Sequence, residues 1–225
     1  MNLYDVMRTT FAARDFSDEP VDDATLYRIL DNARFAPSGG NRQGWRVIVV
    51  RDRAKRAALV DLIRPTMRRY VAQVAAGENP WNTVVPTKVG EAAIAAVELP
   101  PGMIERMMHA PVLLLVAVDL RVVASFDSAL PRVGVISGAS IYPFVWNILL
   151  AARNEGLGGT LTTFVAPAEA EVRRMFALPD GFAVSALLPI GRPVKQLTRL
   201  KRKRVEEFAT VDGYAGPPLR TASPS

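Results

Sequence analysis

Residues 33–50, "ARFAPSGGNRQGWRVIVV", place a small polar loop between a helix and a buried strand. The apolar residues before Pro37 recur at helical spacing, and proline ends such a helix because it cannot donate a backbone hydrogen bond. From Trp45 onward the apolar residues follow one another almost without a break, which is typical of a buried strand. The Ser-Gly-Gly-Asn between them has little side chain to bury. We therefore interpret it as a loop whose backbone lies against a ligand.

Five helices are predicted from apolar spacing and from start and stop signals. The fourth carries small residues at its start and is expected to kink at Pro143, and the third is expected to be disturbed by Pro65. The predicted helices cover about residues 3–11, 22–36, 52–76, 134–158 and 167–176.

Continuous apolar runs predict three strands, in residues 45–50, 110–118 and 182–191, and residues 160–164 form a short strand or an extended loop. Residues 77–101 are rich in proline and lack a strong pattern, so we expect a variable insertion or lid there. Residues 209–225 are expected to form an extended tail. We see no linker that divides the chain, so a single α+β or α/β domain over 1–225 is predicted.

Composition limits the classes of function. The chain has 225 residues, 49% of them hydrophobic and 22% charged, and no cysteine, so disulfides, thiolate metal sites and cysteine nucleophiles are excluded. The apolar runs are too short to cross a bilayer, and the N-terminus lacks the features of a secretory signal. We therefore predict a cytoplasmic protein with no membrane partner.

The net charge of +6 is compatible with nucleic acid or with small molecules that carry phosphates. The only basic cluster is "KRKR" at 201–204, and no zinc-finger, RNP-like or aromatic-rich basic motif accompanies it. We expect no nucleic-acid partner. No catalytic triad, carboxylate pair or metal-ligand cluster is recognised, so no catalytic side chain and no metal site are predicted. His109, the single histidine, is interpreted as structural.

Small or backbone-rich loops lie next to positive charge in three segments, at residues 11–16, 36–45 and 156–164, and a basic segment follows at 200–208. Glycine and serine allow a flat ligand to approach the backbone, and arginine supplies charge for a phosphate or an anionic ring. Taken singly, each segment has an ordinary alternative, because Ser38 and Asn41 are common turn residues and Gly158 and Gly159 fit a helix C-cap. Together they indicate a phosphorylated, aromatic redox cofactor.

The pattern Arg-x-Phe-Ser-Asp-Glu-Pro-Val from Arg14, followed by Ala-Pro-Ser-x-x-Asn-x-Gln-x-Trp from Ala36, resembles the FMN-dependent nitroreductase family. "NILLAARNEGLG" and the basic segment before "VEEF" match the same family in the same order. The resemblance implies a nitroreductase-like α+β fold with a mostly antiparallel central sheet flanked by helices. It also implies an intertwined homodimer with two FMN molecules at the subunit interface.

Carried over position by position, the resemblance assigns Arg14 to the pyrimidine edge of the flavin, where a cation stabilises the reduced ring. Thr10 and Ala12 stand where many relatives have an arginine and a serine that reach the phosphate and the ribityl chain. Arg8, Arg202 and Lys203 are candidates to supply the missing charge.

The resemblance assigns Pro37, Ser38, Gly39 and Asn41 to the loop that the partner chain contributes to the flavin site. Thr160, Leu161, Thr162 and Thr163 match the stretch whose backbone amide approaches flavin N5. Gly44 replaces the proline that usually precedes Trp45 in the family.

The function implied is reduction of nitroaromatics, quinones or related electron-poor acceptors by NAD(P)H, with ping-pong hydride transfer through FMN. Trp81, Phe126 and Tyr142 are candidates to shape the choice of acceptor. Enzymes of the same fold that remove halogens, reduce activated alkenes or cleave flavin are alternatives. A non-catalytic flavin- or nucleotide-binding protein is the alternative from another class.

Overall fold

A four-stranded, fully antiparallel sheet forms the centre of the computed structural model, which describes residues 1–220. The strand order is β1-β2-β4-β3. The strands are β1 (Trp45–Val49), β2 (Val112–Asp119), β3 (Gly158–Gly159) and β4 (Phe182–Gly191). The predicted α+β class and the antiparallel sheet are therefore confirmed.

Seven helices surround the sheet in the described part of the chain: α1 (Leu3–Thr9), α2 (Asp23–Ala33), α3 (Arg53–Ala75), α4 (Glu91–Ala95), α5 (Glu105–Met108), α6 (Tyr142–Asn154) and α7 (Glu169–Phe176). Asn2, Asp22 and Asp52 cap the starts of α1, α2 and α3 by accepting a hydrogen bond from a backbone N–H of the first turn. Within residues 1–220, no helix combines the length and the apolar character needed to cross a bilayer.

Strand β2 is the centre of the core because both of its faces are buried. Leu114 and Val116 pack with α2 and α6 on one face, while Leu113 and Leu115 pack with α3 and α5 on the other. Burial on both faces explains why this strand is a continuous apolar run rather than an alternating one. On the α6 face, Trp45 stacks on Phe144 with ring centroids 4.5 Å apart.

The start of the predicted fourth helix is wrong. Residues 134–141 are not α-helical, and α6 begins at Tyr142 after a 3₁₀ turn over Ile136–Ser140. Glycine and serine in this turn have low helix propensity, and the Ser140 hydroxyl accepts a hydrogen bond from Gly39 N–H at 3.0 Å. Pro143 lies in the first turn of α6, where its missing N–H leaves no helical hydrogen bond unmade.

Helices α1 and α3 also differ from expectation, α1 in its end and α3 in its interior. Helix α1 ends at Thr9, two residues before the predicted end. Helix α3 continues through Pro65 without a break, because Ile63 and Met67 on either side are buried in the core and hold the helix in place.

The turn after α6 assigns different roles to its glycines. Gly156 has the left-handed φ of 79° that ends the helix, and Leu157 N–H reaches back to Ala152 O at 2.8 Å. Gly158 and Gly159 form β3 instead, so their interpretation as a helix C-cap is wrong. A Cβ on Gly159 would lie 2.8 Å from Pro189 O, so only glycine allows β3 to approach β4 this closely.

The loop between β2 and α6 is organised by one carboxylate. Asp127 is buried and accepts hydrogen bonds from Val135 N–H at 2.8 Å, Arg132 Nη1 at 2.7 Å and Ser125 Oγ at 3.3 Å. These donors, with Val135 N–H foremost, lower the pKa of Asp127 to about 2. The same loop presents large apolar side chains to solvent, with Phe126 91% exposed.

The described part of the predicted tail folds back on itself. Thr210 forms an isolated antiparallel bridge with Pro218, and Leu219 N–H donates to Ala209 O at 2.9 Å. The last five residues of that predicted tail, 221–225, lie outside the described residues.

Replacing Gly159 with alanine is expected to lower the free energy of unfolding by about 1–3 kcal/mol, the usual cost of forcing extra volume into a packed site. The new methyl group would meet the Pro189 carbonyl oxygen and, at 2.9 Å, the Ile190 side chain. Urea denaturation measures the change. Gly90→Ala is the control, because a Cβ there meets nothing within 4 Å. An equal loss in both variants would contradict the packing explanation.

Asp127→Asn is expected to destabilise the protein in a pH-dependent way. Because the pKa of Asp127 is lowered on folding, its stabilising contribution is present above its ordinary pKa near 3.8 and is lost as the pH falls toward 2. The difference in Tm between the parent and the variant should therefore be largest near pH 6 and shrink by about pH 3. Thermal unfolding followed by circular dichroism measures it, and a difference independent of pH would show that the charge is not responsible.

Candidate functional site

Two of the segments singled out in the sequence meet at β3, the edge strand that pairs with β4. Ala12 forms a parallel bridge with Gly159, and Ala13 N–H donates to Gly159 O at 3.0 Å. The contact requires small residues, since a Cβ on Gly158 would lie 3.2 Å from Ala13 Cβ and 2.6 Å from Pro193 Cγ. Residues 10–14 and 158–163 therefore form one continuous surface.

Residues 160–163 present alternate backbone amides to β4. Thr160 N–H donates to Pro189 O at 3.3 Å, and Thr162 N–H donates to Leu187 O at 3.0 Å. The N–H groups of Leu161 and Thr163 lie on the opposite side of this extended segment and donate to no protein acceptor in residues 1–220. This edge therefore has two backbone donors available to a ligand.

Pro189 explains why the regular strand is so short. In an antiparallel pair the two opposed residues exchange two hydrogen bonds, but proline has no N–H to donate. Thr160 therefore donates to Pro189 and receives nothing back from it. The ladder resumes at Thr162, which exchanges both bonds with Leu187, the return bond from Leu187 N–H being 2.8 Å.

Arg14 lies at the same edge with its charge available. Its side chain is exposed and makes one long hydrogen bond, from Nη1 to Ala12 O at 3.3 Å. It forms no ion pair with any carboxylate in residues 1–220. Arg14 directly follows Ala12 and Ala13, which contact Gly159, and the next residue, Asp15, accepts a hydrogen bond from Val194 N–H at 3.1 Å.

Thr10 and Arg8 differ in what they offer a phosphate. Thr10 is 5% exposed, and its hydroxyl donates to Val6 O at 2.7 Å, so that proton is already committed. Arg8 is exposed on the last turn of α1, with its guanidinium 5.9 Å from the centre of the Tyr4 ring, and its charge remains available. Ala12 is exposed beside Gly159 and offers backbone only.

The loop at residues 37–43 holds an unusual backbone. Gly40, Asn41 and Gln43 have left-handed φ values of 59°, 52° and 50°, a conformation that costs energy in residues other than glycine. Ser38 Oγ fixes the loop by accepting from Gln43 N–H at 3.0 Å. Pro37 is exposed at its start. Such strain is characteristic of a loop shaped for a ligand or a partner.

This loop and the basic segment are not joined to the first cluster within one chain. Gly39 N–H contacts Ser140, and neither Ser38 nor Gly39 hydrogen-bonds to residues 10–14 or 160–163. Arg202 and Lys203 are exposed, and the guanidinium of Arg202 donates only to Lys201 O among the described residues, at 2.8 Å. The structure thus brings together two of the four predicted segments.

Two positioning contacts had no signal in the sequence. Arg153 Nε donates to Thr9 Oγ1 at 2.9 Å, and Gln196 Nε2 donates to Thr9 O at 3.0 Å. They attach α6 and the segment after β4 to the end of α1, directly before Thr10. Each pair is more than 140 positions apart in the chain, so local pattern could not reveal it.

The three aromatic candidates for acceptor choice lie in different surroundings. The Trp81 ring lies against Arg69, with 4.4 Å between the guanidinium carbon and the ring centre. The backbone N–H of Trp81 donates to Gln73 Oε1 at 3.2 Å, which attaches this segment to α3. Phe126 extends into solvent from the Asp127 loop. Tyr142 begins α6 and is partly exposed.

His109 is not the satisfied structural histidine that the sequence predicted. Its side chain is exposed after the last turn of α5 and hydrogen-bonds to no protein group in residues 1–220. The structural interpretation relied on the strand-like run that follows His109, but the chain enters that strand only at Val112. Across the described residues, no three His, Asp or Glu side chains come together as a metal site.

Comparison with known proteins identifies the family. The family model described as "Nitroreductase family" matches residues 7–192. A nitrobenzene nitroreductase from Ectopseudomonas oleovorans is 27% identical over 92% of this chain and 95% of its own length.

Two solved structures share the fold. A BluB-like flavoprotein from Clostridium difficile 630 has a TM-score of 0.68 at 21% identity, over 93% of this chain and 98% of that chain. A mutant of NfnB, an FMN- and NADPH-dependent nitroreductase from Sphigopyxis sp. strain HMH, has a TM-score of 0.61 at 22% identity, over 95% and 100% of the two chains. At such identities the structures establish the fold and not the reaction. With the family model matching most of its length, this chain belongs to the nitroreductase family.

Proposed function

We propose that this protein is an FMN-dependent oxidoreductase that uses NAD(P)H to reduce nitroaromatics, quinones or related electron-poor acceptors. Membership of the family supports an oxidoreductase, and the relative from Ectopseudomonas oleovorans, described as a nitrobenzene nitroreductase, supports the acceptor class. The flavin and the nicotinamide are supported by the neighbour described as FMN- and NADPH-dependent.

The observation that carries the proposal is the coincidence of free donors and free charge at one sheet edge. Within residues 1–220, the N–H groups of Leu161 and Thr163 are unpaired, and Arg14, which directly follows the residues that contact Gly159, forms no ion pair. A flat heteroaromatic ring with carbonyl and ring-nitrogen acceptors on its rim fits such an edge, because it accepts from backbone amides and its reduced form is anionic. The residues present therefore fit FMN.

Bound FMN would supply the hydride-transfer chemistry between the nicotinamide and the acceptor. This chain's own residues supply binding and electrostatics. Arg14 contributes a positive charge that favours the reduced, anionic ring, and the Leu161 and Thr163 amides orient the ring without a side chain that could block access. Arg8 is the cation placed to attract the phosphate from α1, since the proton of the Thr10 hydroxyl is committed to Val6.

A homodimer is part of the proposal because half of the predicted site is missing from one chain. Within residues 1–220, the strained loop at 37–43 forms no hydrogen bond with residues 10–14 or 160–163 of the same chain. Large apolar side chains are exposed on α1 and α6, among them Tyr4, Met7 and Trp146. A second copy that covers these helices would remove that apolar surface from water and could contribute its loop to the site.

A second candidate within the same fold is an enzyme that acts on the flavin ring itself. This second candidate is supported by the fold similarity to the BluB-like flavoprotein, with a TM-score of 0.68. A non-catalytic flavin-binding protein is the alternative of another class. It rests on Thr10 and Ala12, which give the phosphate less than the arginine and serine of many relatives.

Absorbance and turnover of the purified protein test the function. The protein should carry the visible absorption bands of oxidised flavin, lose them with NADH or NADPH in the absence of oxygen, and regain them on addition of a nitroaromatic or a quinone. Flavin bands that neither NADH nor NADPH removes would favour the non-catalytic alternative. Loss of flavin with formation of a ring-contracted product would favour the flavin-cleaving one.

Arg14→Ala is expected to weaken FMN binding and to lower the flavin midpoint potential. A charge-assisted hydrogen bond contributes about 1.5–3 kcal/mol, which corresponds to roughly a 10- to 150-fold rise in Kd. Fluorescence titration of FMN into the apoprotein and anaerobic redox titration of the holoprotein measure the two effects.

Arg68→Ala serves as the control for Arg14→Ala, because Arg68 is exposed on α3 and its loss removes the same charge at a different place. Arg14→Lys should recover part of the potential, since it keeps the charge without the planar fork. If Arg14→Ala and Arg68→Ala leave affinity and potential equally unchanged, the role assigned to Arg14 is refuted.

Gly39→Leu is expected to prevent FMN binding in the partner's site while each chain stays folded, because Gly39 is exposed and a Cβ there meets only Ser140 Oγ, at 3.3 Å. Mixed dimers make the test sharp. An Arg14→Ala chain paired with a Gly39→Leu chain should recover one intact site, because one of the two sites takes its Arg14 and its Gly39 from the unmodified positions.

The mixed dimers are isolated with two affinity tags, and bound FMN per dimer and NADPH-dependent turnover are compared with those of each pure variant. Gly90→Leu is the matched control, since that position is open to solvent. Absence of any recovery in the mixed dimer, with both pure variants defective, would show that the two residues serve the same chain's site and would overturn the shared arrangement.

A further inference from the structure

A cleft of about 640 Å³ lies between the start of α3, the end of α5 and the residues that lead into β2. None of the residues assigned to the flavin lines it. Its wall is apolar at Val60, Met108 and Pro111, and three arginines line it as well. Its volume is in the range of sites that bind small organic molecules.

Arg56 brings a half-buried positive charge to this cleft. Its guanidinium is held by backbone carbonyls alone: Nε donates to Val50 O at 2.8 Å and Nη1 donates to Ala110 O at 2.6 Å. Within residues 1–220 it pairs with no carboxylate, and desolvation lowers its pKa from the ordinary value. Carbonyls satisfy its hydrogen bonds but do not neutralise its charge.

The start of α3 adds further charge against the usual preference. Arg53, Lys55 and Arg56 occupy its first turn, which contains no acidic residue. The macrodipole makes a helix N-terminus favour acidic side chains, so cations here oppose local stability. Arg56 gains carbonyl acceptors there and Lys55 lies over the Phe176 ring, but Arg53 has no such compensation. A residue that breaks a local rule without a structural gain is expected at a functional site. Arg53 is exposed and forms no ion pair within the described chain.

The carboxylates nearby balance this charge only in part. Asp52, the N-cap of α3, offsets one of the three cations of the first turn and accepts a hydrogen bond from Lys55 N–H at 3.0 Å. Glu105, the one acidic residue in the lining, is paired with Arg64 outside it. Arg51 is itself paired with Asp23, which lies outside the cleft. The charges of Arg53 and Arg56 therefore remain beside an apolar wall.

We propose that the cleft binds a small organic anion, a carboxylate or phosphate carried on an apolar ring or chain. The charged group lies against Arg53 and the remaining Nη2 hydrogen of Arg56, and the apolar body packs on Val60, Met108 and Pro111. The exposed imidazole of His109, which lines the same cleft, is a further hydrogen-bond donor for the anion. This site is separate from the proposed flavin site and does not depend on it.

Calorimetric titration of the purified dimer or monomer, with whatever flavin it carries, tests the proposal. The probes are phenyl phosphate and benzoate, with benzyl alcohol as the neutral probe of similar apolar size. Arg53→Gln should weaken binding of both anions at least tenfold. Arg68→Gln, which removes the same charge about four turns further along α3, should leave binding unchanged. Added salt should weaken binding of the anions.

Flavin absorbance recorded in the same titrations separates this site from the flavin site. Anions bound in the cleft should leave the flavin bands unchanged, and a colourless protein should bind them equally well. Benzyl alcohol binding as tightly as the anions, or equal affinities in the two arginine variants, would overturn the proposal. Anion binding that always perturbs the flavin bands, and that is lost in Arg14→Ala but kept in Arg53→Gln, would also overturn it. Failure to detect binding of either anion would overturn it as well.

Discussion

The close approach of three backbone segments at Gly158 and Gly159 is the constraint on which the candidate site depends. A single methyl group at Gly159 would meet the Pro189 carbonyl, and one at Gly158 would meet Pro193 and Ala13. Because both side chains are absent, residues 12–13 can lie beside β3, and Arg14 follows from their direction. Pro189 then limits the regular ladder, so the next residues continue along the edge with alternate amides unpaired. Backbone packing therefore brings the positively charged Arg14 and the unpaired amides to the same edge.

Much of the fold could be predicted from the sequence because its strongest patterns come from burial. Strands β1, β2 and β4 are apolar runs whose neighbours cover them, and Asp22 marks the start of α2 by its cap. The errors occurred where packing overrides local preference. Helix α3 continues through Pro65 because the core holds both sides, whereas residues 134–141 fail to form a helix because Ser140 is bonded to a distant loop.

The candidate site was predictable as separate segments and not as an arrangement. Local composition and the family resemblance singled out residues 10–14, 37–41 and 160–163. Only the structure shows that the first and third meet, and that Thr10 commits its hydroxyl proton to Val6. The contacts of Thr9 with Arg153 and Gln196 join residues far apart in the chain, and no local pattern records such pairs. The structural interpretation of His109 is wrong because a position next to a strand does not supply the side chain with a hydrogen-bond partner.

In the loop between β2 and α6, the buried residue that fixes the backbone is different from the residues whose side chains are exposed. Asp127, buried beneath the loop, holds it through Val135 N–H, Arg132 and Ser125. Its outward side chains, Phe126 foremost, take no part in that hydrogen bonding. Such an arrangement lets natural selection, or a protein engineer, exchange the displayed residues one at a time while the supporting scaffold persists. Substitutions at the exposed positions of this loop can therefore change its surface without disturbing the hydrogen bonds of Asp127 that hold its backbone.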